Sequence, residues 1–200
     1  FKKIQLNGFK SFAEKTNFLI EDGLTGIVGP NGCGKSNIVE SLRWAMGETS
    51  AKSMRGSGME DVIFNGTSNK SSKNIAEVSI TLDNMNHEGP LLYKDMDQIE
   101  IRRKIEKDKG SKFYINDKEV RARDAQMFFA DLSTGAHSPS MISQGRIGAL
   151  VTAKPTDRRA ILEEAAGISG LHVRRHEAEL RLGAAENNLK RADELRRQQE

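Results

Sequence analysis

Apolar positions recur along the chain with two different periods. Phe1 to Leu6 alternates and predicts a strand; Asn7-Gly8 turns the chain, and Thr16 to Ile20 reads as the return. After the turn at Glu21-Asp22-Gly23, Leu24 to Val28 is short and apolar with β-branched residues, which predicts a buried strand. The period then lengthens. Ile38, Val39, Leu42 and Ala45, with Met46, fall at helical spacing until Gly47 stops the run. Ser50 to Ser72 is rich in Ser, Gly, Asn and Lys and reads as loop, broken by the apolar group Val62-Ile63-Phe64. Alternation returns in Ile75 to Leu82 and in Ile99 to Ile105, and Lys112 to Ile115 pairs with the latter across Asp108-Lys109-Gly110-Ser111. These elements predict an α/β fold with a mixed sheet. Ala125 to Leu132 predicts a short helix and Ser133 to Gly148 a loop. A further helix is expected from Lys154-Pro155-Thr156-Asp157, with Pro155 at its first position and Gly167 at its end.

From Leu171 onward the pattern changes. The stretch to Glu200 holds no Pro and one Gly, Gly183. Ala178, Leu182, Ala185, Leu189 and Ala192 repeat at spacings of four and three, a heptad seam in a charged surround. Two such heptads with three Ala do not make a stable coiled coil alone. The segment is either an amphipathic helix packed on the domain or, the preferred reading, the root of a long coiled coil continuing past Glu200.

Composition supports a compact core with a solvated appendage: 36% of the 200 residues are apolar and 30% charged. No stretch of about 20 apolar residues could span a membrane, and the N-terminus lacks a signal peptide's apolar core. Cys33, the single cysteine, excludes an internal disulfide and fits a reducing cytoplasm. The net charge of +3 says little about partners. Lys and Arg exceed Asp and Glu between Lys94 and Arg123, a modest basic surface that charge alone reads as a solvated face before a nucleic-acid site.

The chemistry is concentrated in Gly29-Pro30-Asn31-Gly32-Cys33-Gly34-Lys35-Ser36, which matches the P-loop pattern between a predicted strand and a predicted helix. Its glycines let successive N–H groups turn inward toward phosphate oxygens, and the helix that follows offers its positive end. Lys35 would reach the β- and γ-phosphates, and the Ser36 hydroxyl would bind Mg²⁺. Other NTPase parts are missing. Asn69-Lys70-Ser71-Ser72 lacks the Asp of a guanine-reading motif. Val78 to Asp83 is the nearest apolar strand ending in Asp, but Ser79 and Thr81 make it look half exposed. Glu163-Glu164 falls within a helix, and Leu132-Ser133-Thr134-Gly135 only partly echoes an ABC signature. A phosphate cradle without the groups that activate water implies a fragment or a split site. His172 and His176 share a helix face, but without a third ligand nearby they read as solvated coil residues.

Gly8-Phe9-Lys10-Ser11-Phe12 and the P-loop through Asn37 strongly resemble the start of structural-maintenance-of-chromosomes (SMC) proteins. So do Ser53-Met54-Arg55-Gly56, Met59 to Gly66, Ser143-Gln144-Gly145-Arg146 and Arg158 to Gly167. The resemblance covers essentially the whole chain in order and is closest to the bacterial chromosome-organising type. Coiled-coil ATPases of DNA repair share the P-loop and Gln loop, but they fit Met59 to Gly66 and Arg158 to Gly167 less well. One departure is Asn116-Asp117, where the family usually has Asn-Gly at a hairpin tip.

The resemblance implies a P-loop NTPase of ABC type, split into halves. Residues 1–170 would form the N-terminal head lobe and residues 171–200 the start of a projecting coiled-coil neck. ATP would lie against Pro30, Asn31, Gly32, Cys33, Gly34, Lys35, Ser36 and Asn37, with Lys10 and Ser11 nearby. Mg²⁺ would be held by Ser36 and Gln144, and Arg55 and Gln144 would serve catalysis. The implied partners are the C-terminal half of the head, a second copy of the full protein, a kleisin at the neck, and DNA; no membrane is involved. The implied location is cytoplasmic, on the nucleoid. The alternatives are a RecF-, RecN- or Rad-type repair ATPase, or a nucleotide-gated structural module that does not hydrolyse ATP.

Overall fold

A computed structural model of the chain describes residues 1–132, Met141, 151–166 and 169–199. Among the described residues six strands form one sheet: β1 (Lys3–Asn7), β2 (Thr16–Leu19), β3 (Ile75–Asp83), β4 (Gln98–Glu106), β5 (Gly110–Ile115) and β6 (Lys118–Val120). Their spatial order is β2-β1-β3-β4-β5-β6, and every neighbouring pair is antiparallel. The described helices are α1 (Lys35–Ala45), α2 (Ala122–Asp131), α3 (Pro155–Ala165) and α4 (Ser169–Gln199).

The alternation read from sequence becomes one dry face. Ile4 and Leu6 of β1, Ala76, Val78, Ile80 and Leu82 of β3, Ile99, Ile101 and Ile105 of β4, and Phe113 and Ile115 of β5 are all buried. Helix α1 covers β3 and β4, and α2 covers β5. Trp44 of α1 meets Phe9 at a ring separation of 5.5 Å, and Phe128 of α2 meets Tyr93 at 5.6 Å. Strand β3 lies at the centre of this sheet, so Val78, Ser79 and Ile80 are buried rather than half exposed. At the β5–β6 tip, Asn116 and Asp117 have φ of 46° and 63°, the left-handed pair of a two-residue hairpin turn. Asp117 accepts a bond from Arg102 at 2.7 Å.

One expected strand does not form. Leu24 to Val28 pairs with no described strand, and Leu24 and Val28 are 100% and 93% exposed. The described sheet is therefore wholly antiparallel where a mixed one was expected. A strand is stable only when a neighbour takes up its backbone N–H and C=O groups, and no described strand lies beside this segment.

One core-facing position of β4 is charged. Arg103 is buried, and its guanidinium lies between the rings of Trp44 and Phe113, 4.5 and 4.6 Å from their centroids. It donates to the carbonyls of Trp44 and Glu48, each at 2.7 Å, and to Ser111 Oγ at 2.7 Å. The Trp44 carbonyl belongs to the last turn of α1, where a cation is favourable, and the Glu48 carbonyl to the chain just past it. Burial pushes Arg103 down to about 10, so it is still charged at neutral pH. The helix closes beside it at Gly47, whose φ of 102° suits only glycine.

The connection to β3 is fixed by a local carboxylate cap. Asp61 accepts from the backbone N–H of Ser57 (2.6 Å) and Gly58 (3.0 Å) and from Ser57 Oγ (2.8 Å). The Gly58 and Ser57 bonds hold its pKa below the ordinary 3.8.

Two predictions follow from these contacts. Arg103→Leu removes the donor shared by the Trp44 and Glu48 carbonyls and is expected to lower stability by about 3 kcal/mol. The effect should appear as a lower urea midpoint at unchanged slope. Arg103→Lys, which lacks the planar fork, should recover only part of it. Asp61, with its depressed folded pKa, stabilises its loop above the unfolded pKa, and that contribution is lost as pH falls through the folded value. Its carboxyl should titrate below 3.8 by NMR, with the Ser57 and Gly58 amides shifting at the same midpoint. A midpoint at or above 3.8 would contradict the cap.

Candidate functional site

The P-loop runs directly into α1, and its last glycine makes the junction. Gly34 is the N-cap residue, with φ of 96°. A Cβ placed there would lie 2.5 Å from Ser11 Oγ, so Ser11 packs directly against the loop and excludes a larger residue. Lys35 folds back over the loop, its ammonium donating to the carbonyls of Gly29 and Pro30 at 2.5 Å each. Cys33 Sγ lies 3.7 Å from the same ammonium and is exposed. Pro30, Asn31, Gly32 and Ser36 are exposed as well. No acidic residue occupies the first turn of α1, so nothing within that turn offsets the positive end of the helix.

Three further sequence-predicted residues converge here. Asn37 Nδ2 donates to Ser11 Oγ at 2.9 Å, and Arg55 Nη2 donates to Asn37 Oδ1 at 3.0 Å. Arg55 also pairs through Nε with Glu40, which pairs in turn with Lys10. The Lys10 ammonium is directed to Glu40 and to the Met54 carbonyl, 2.5 Å away. Lys10 and Arg55 both have left-handed backbone, at φ of 46° and 55°.

Glu40 is the member that sequence reading missed. It looks like an ordinary polar helix position, yet it is buried. The available signal was spacing: Glu40 stands three residues after Asn37 and four after Ser36, on the face that leads from the phosphate loop.

Gln144, and the Ser143–Arg146 run that contains it, lie outside the described residues, as do the side chains of His172 and His176. Among the described residues no group of three or more His, Cys, Asp or Glu could hold a metal ion. Asp83, at the end of β3, instead pairs with Lys2 at 3.2 Å and accepts from the Met85 N–H at 3.1 Å. The basic stretch is partly neutralised within the sheet, by Arg102 with Asp117 and by Lys112 with Glu119. Along α4 the whole heptad seam, Ala178, Leu182, Ala185, Leu189 and Ala192, is exposed.

The chain is similar to known proteins over most of its length. The family model described as "RecF/RecN/SMC N terminal domain" matches residues 1–146. A chromosome partition protein Smc from Cereibacter sphaeroides is 58% identical over 98% of this chain, which spans only 17% of that relative's length. Among solved structures, one described as the Smc head domain with an extended coiled coil, bound to the C-terminal domain of ScpA derived from Pyrococcus furiosus, superposes with a TM-score of 0.77 at 32% identity. It covers 97% of this chain and 48% of its own. Another, from work on ATP-driven dimerization and DNA-stimulated activation of SMC ATPases, gives 0.70 at 32% identity over 82% of this chain and 98% of its own. The fold is accordingly the P-loop NTPase fold of SMC heads, and the repair-ATPase alternative is not favoured. With its phosphate loop, its convergent Ser11, Asn37 and Arg55, and this match over most of its length, the chain belongs to the RecF/RecN/SMC N-terminal domain family.

Proposed function

We propose that this chain is the N-terminal half of the ATPase head of a bacterial SMC protein and that its P-loop binds ATP with Mg²⁺. The observation that carries the reading is the Gly29–Ser36 loop opening into α1. It combines left-handed glycines, a first turn free of acidic residues and Lys35 within reach of the loop carbonyls. These residues fit a nucleoside triphosphate: the loop N–H groups and Lys35 would take the phosphates, and Ser36 would offer a hydroxyl ligand to the metal, joined by the amide oxygen of Gln144. Bound Mg²⁺ supplies charge neutralisation at the phosphates. Arg55, anchored beside Asn37, offers its guanidinium to the same end of the helix.

In the complete protein, ATP binding joins two heads of a homodimer and hydrolysis releases them. That cycle drives DNA entrapment and the condensation and segregation of chromosomes, in the cytoplasm on the nucleoid. No described helix is long and apolar enough to cross a membrane. The C-terminal half of the head supplies the missing Walker B, signature and catalytic Glu. Exposed Leu24 and Val28 suit a strand whose neighbour comes from that half. Residues 1–170 form the head lobe and 171–200 begin the coiled-coil neck, whose exposed seam accepts the returning coil and a kleisin helix.

The chain alone is expected to show negligible ATP turnover, restored by adding the C-terminal half. Lys35→Ala should weaken ATP binding by about 1.5–3 kcal/mol, the value of a charge-assisted phosphate contact. Robust turnover by residues 1–200 alone, abolished by Lys35→Ala, would overturn the split-site reading.

A second expectation concerns the neck. Leu182→Glu or Leu189→Arg should disrupt pairing with the C-terminal coil and capture of a kleisin segment, while nucleotide binding at Lys35 is retained. Unchanged pairing in a co-purification assay would remove the coiled-coil assignment.

A further inference from the structure

Glu40 touches the candidate site only through other residues, and it reaches Arg55 from two sides. Its carboxylate pairs directly with Arg55 Nε, which fixes the guanidinium. It also pairs with the Lys10 ammonium, and that ammonium donates to the carbonyl of Met54, the residue just before Arg55. One buried carboxylate thus restrains both the side chain of Arg55 and the peptide that carries it. The restraint has work to oppose, because Arg55 sits in the left-handed region at φ 55° and Lys10 at φ 46°, conformations that non-glycine residues adopt rarely.

The exposures separate the roles of the two cations. The Lys10 side chain is only 13% exposed, and its ammonium is taken up by Glu40 and Met54. The Arg55 side chain is 58% exposed although it is anchored through Nε and Nη2, so one edge of its fork is fixed while the rest faces outward. That arrangement suits a cation prepared for an anionic ligand. The second anchor, Asn37, directly follows Ser36, so the fork is held at the phosphate-binding end of α1.

We propose that Glu40 is a positioning residue that, with Lys10 as its second contact, sets Arg55 at the phosphate-binding end of α1 before nucleotide arrives. The inference rests on the ATP-binding reading above. Glu40 contacts no nucleotide. It acts by holding the fork in place, so that no ordering of Arg55 is required when the phosphates bind.

The test uses the full-length protein in four forms: unchanged, Glu40→Gln, Arg55→Ala, and both together. Without nucleotide, Glu40→Gln should raise the rate at which phenylglyoxal modifies Arg55, followed by mass spectrometry. With ATP and Mg²⁺ it should lower turnover by roughly tenfold or more, since misplacing a group that aligns a reaction costs on that order. Added to Arg55→Ala it should change turnover by less than about twofold, because residues acting through one contact are not additive. Glu40→Asp, which keeps the charge, should retain more turnover than Glu40→Gln. If Glu40→Gln leaves too little folded protein, Lys10→Met/Glu40→Gln, which removes both charges of the pair, replaces it in every comparison. The proposal is overturned if Arg55 modification is unchanged, if the two substitutions multiply in full, or if Arg55→Ala itself has no effect on turnover. Lys35→Ala separates the two levels. If it leaves nucleotide binding intact, the ATP reading fails; if it abolishes binding while Glu40→Gln leaves Arg55 unaltered, only the positioning role fails.

Discussion

The grip of Arg103 on the end of α1 is the contact on which the arrangement of the site depends. A charge at a core-facing strand position is costly unless its donors are used, and here they are. Three of its bonds tie β4 to the Trp44 and Glu48 carbonyls and to Ser111, with aromatic rings on both faces of the guanidinium. Because the P-loop continues into α1 without a break, fixing the far end of the helix also fixes where Lys35 and Ser36 stand relative to the sheet. The two ends are treated differently. The C-terminal end receives a buried cation, whereas the first turn carries no acidic residue. Glu40, the buried acid closest to that turn, is paired with Lys10 and Arg55, so its charge is compensated locally.

The region beside α1 also carries backbone strain. Lys10 and Arg55 each occupy the left-handed region, at a cost of about 1–2 kcal/mol per residue. Such conformations persist only when surrounding contacts over-determine them. For Lys10 the contacts are its own N–H bond to the Val62 carbonyl at 2.7 Å and its ammonium bonds to Glu40 and Met54. For Arg55 they are its N–H bond to the Lys52 carbonyl at 3.1 Å and the side-chain anchors to Glu40 and Asn37. Glu40 belongs to both sets, which couples the Gly8–Phe12 turn to the Met54–Gly56 turn through a single carboxylate.

What was legible in the sequence was what local rules determine. Period-two alternation located β3, β4 and β5 because one face of the sheet is dry. The P-loop was legible because its backbone demands glycine at fixed places, and Gly34 is indeed left-handed there. Arg103 and Glu40 were not legible because their meaning is non-local. The partner carbonyl of Arg103 on Trp44 is 59 residues away, and Glu40 is joined to Lys10 across 30 residues. The same limit explains the missing strand at Leu24 to Val28. Its composition satisfies the local rule for a strand, but pairing depends on a neighbour that local composition does not specify. Gln144 was placed by family resemblance alone and lies outside the described residues.

The unpaired segment bears on the loop it leads into. Val28 immediately precedes Gly29, so the phosphate loop is fixed on its α1 side while the chain entering it is exposed and, among the described residues, without a strand partner. A P-loop holds its N–H groups most rigidly when strand and helix are both anchored, since ordering a loop at the moment of binding consumes part of the binding energy. On the split-head reading, pairing of Leu24 to Val28 with a strand from the C-terminal half anchors the entering side. Assembly of the head and affinity for nucleotide then become linked quantities, each strengthening the other by the same factor. On that reading the linkage gives a physical reason for dividing the nucleotide site between two parts of a chain, since the phosphate cradle is then anchored on both sides only where the halves have met.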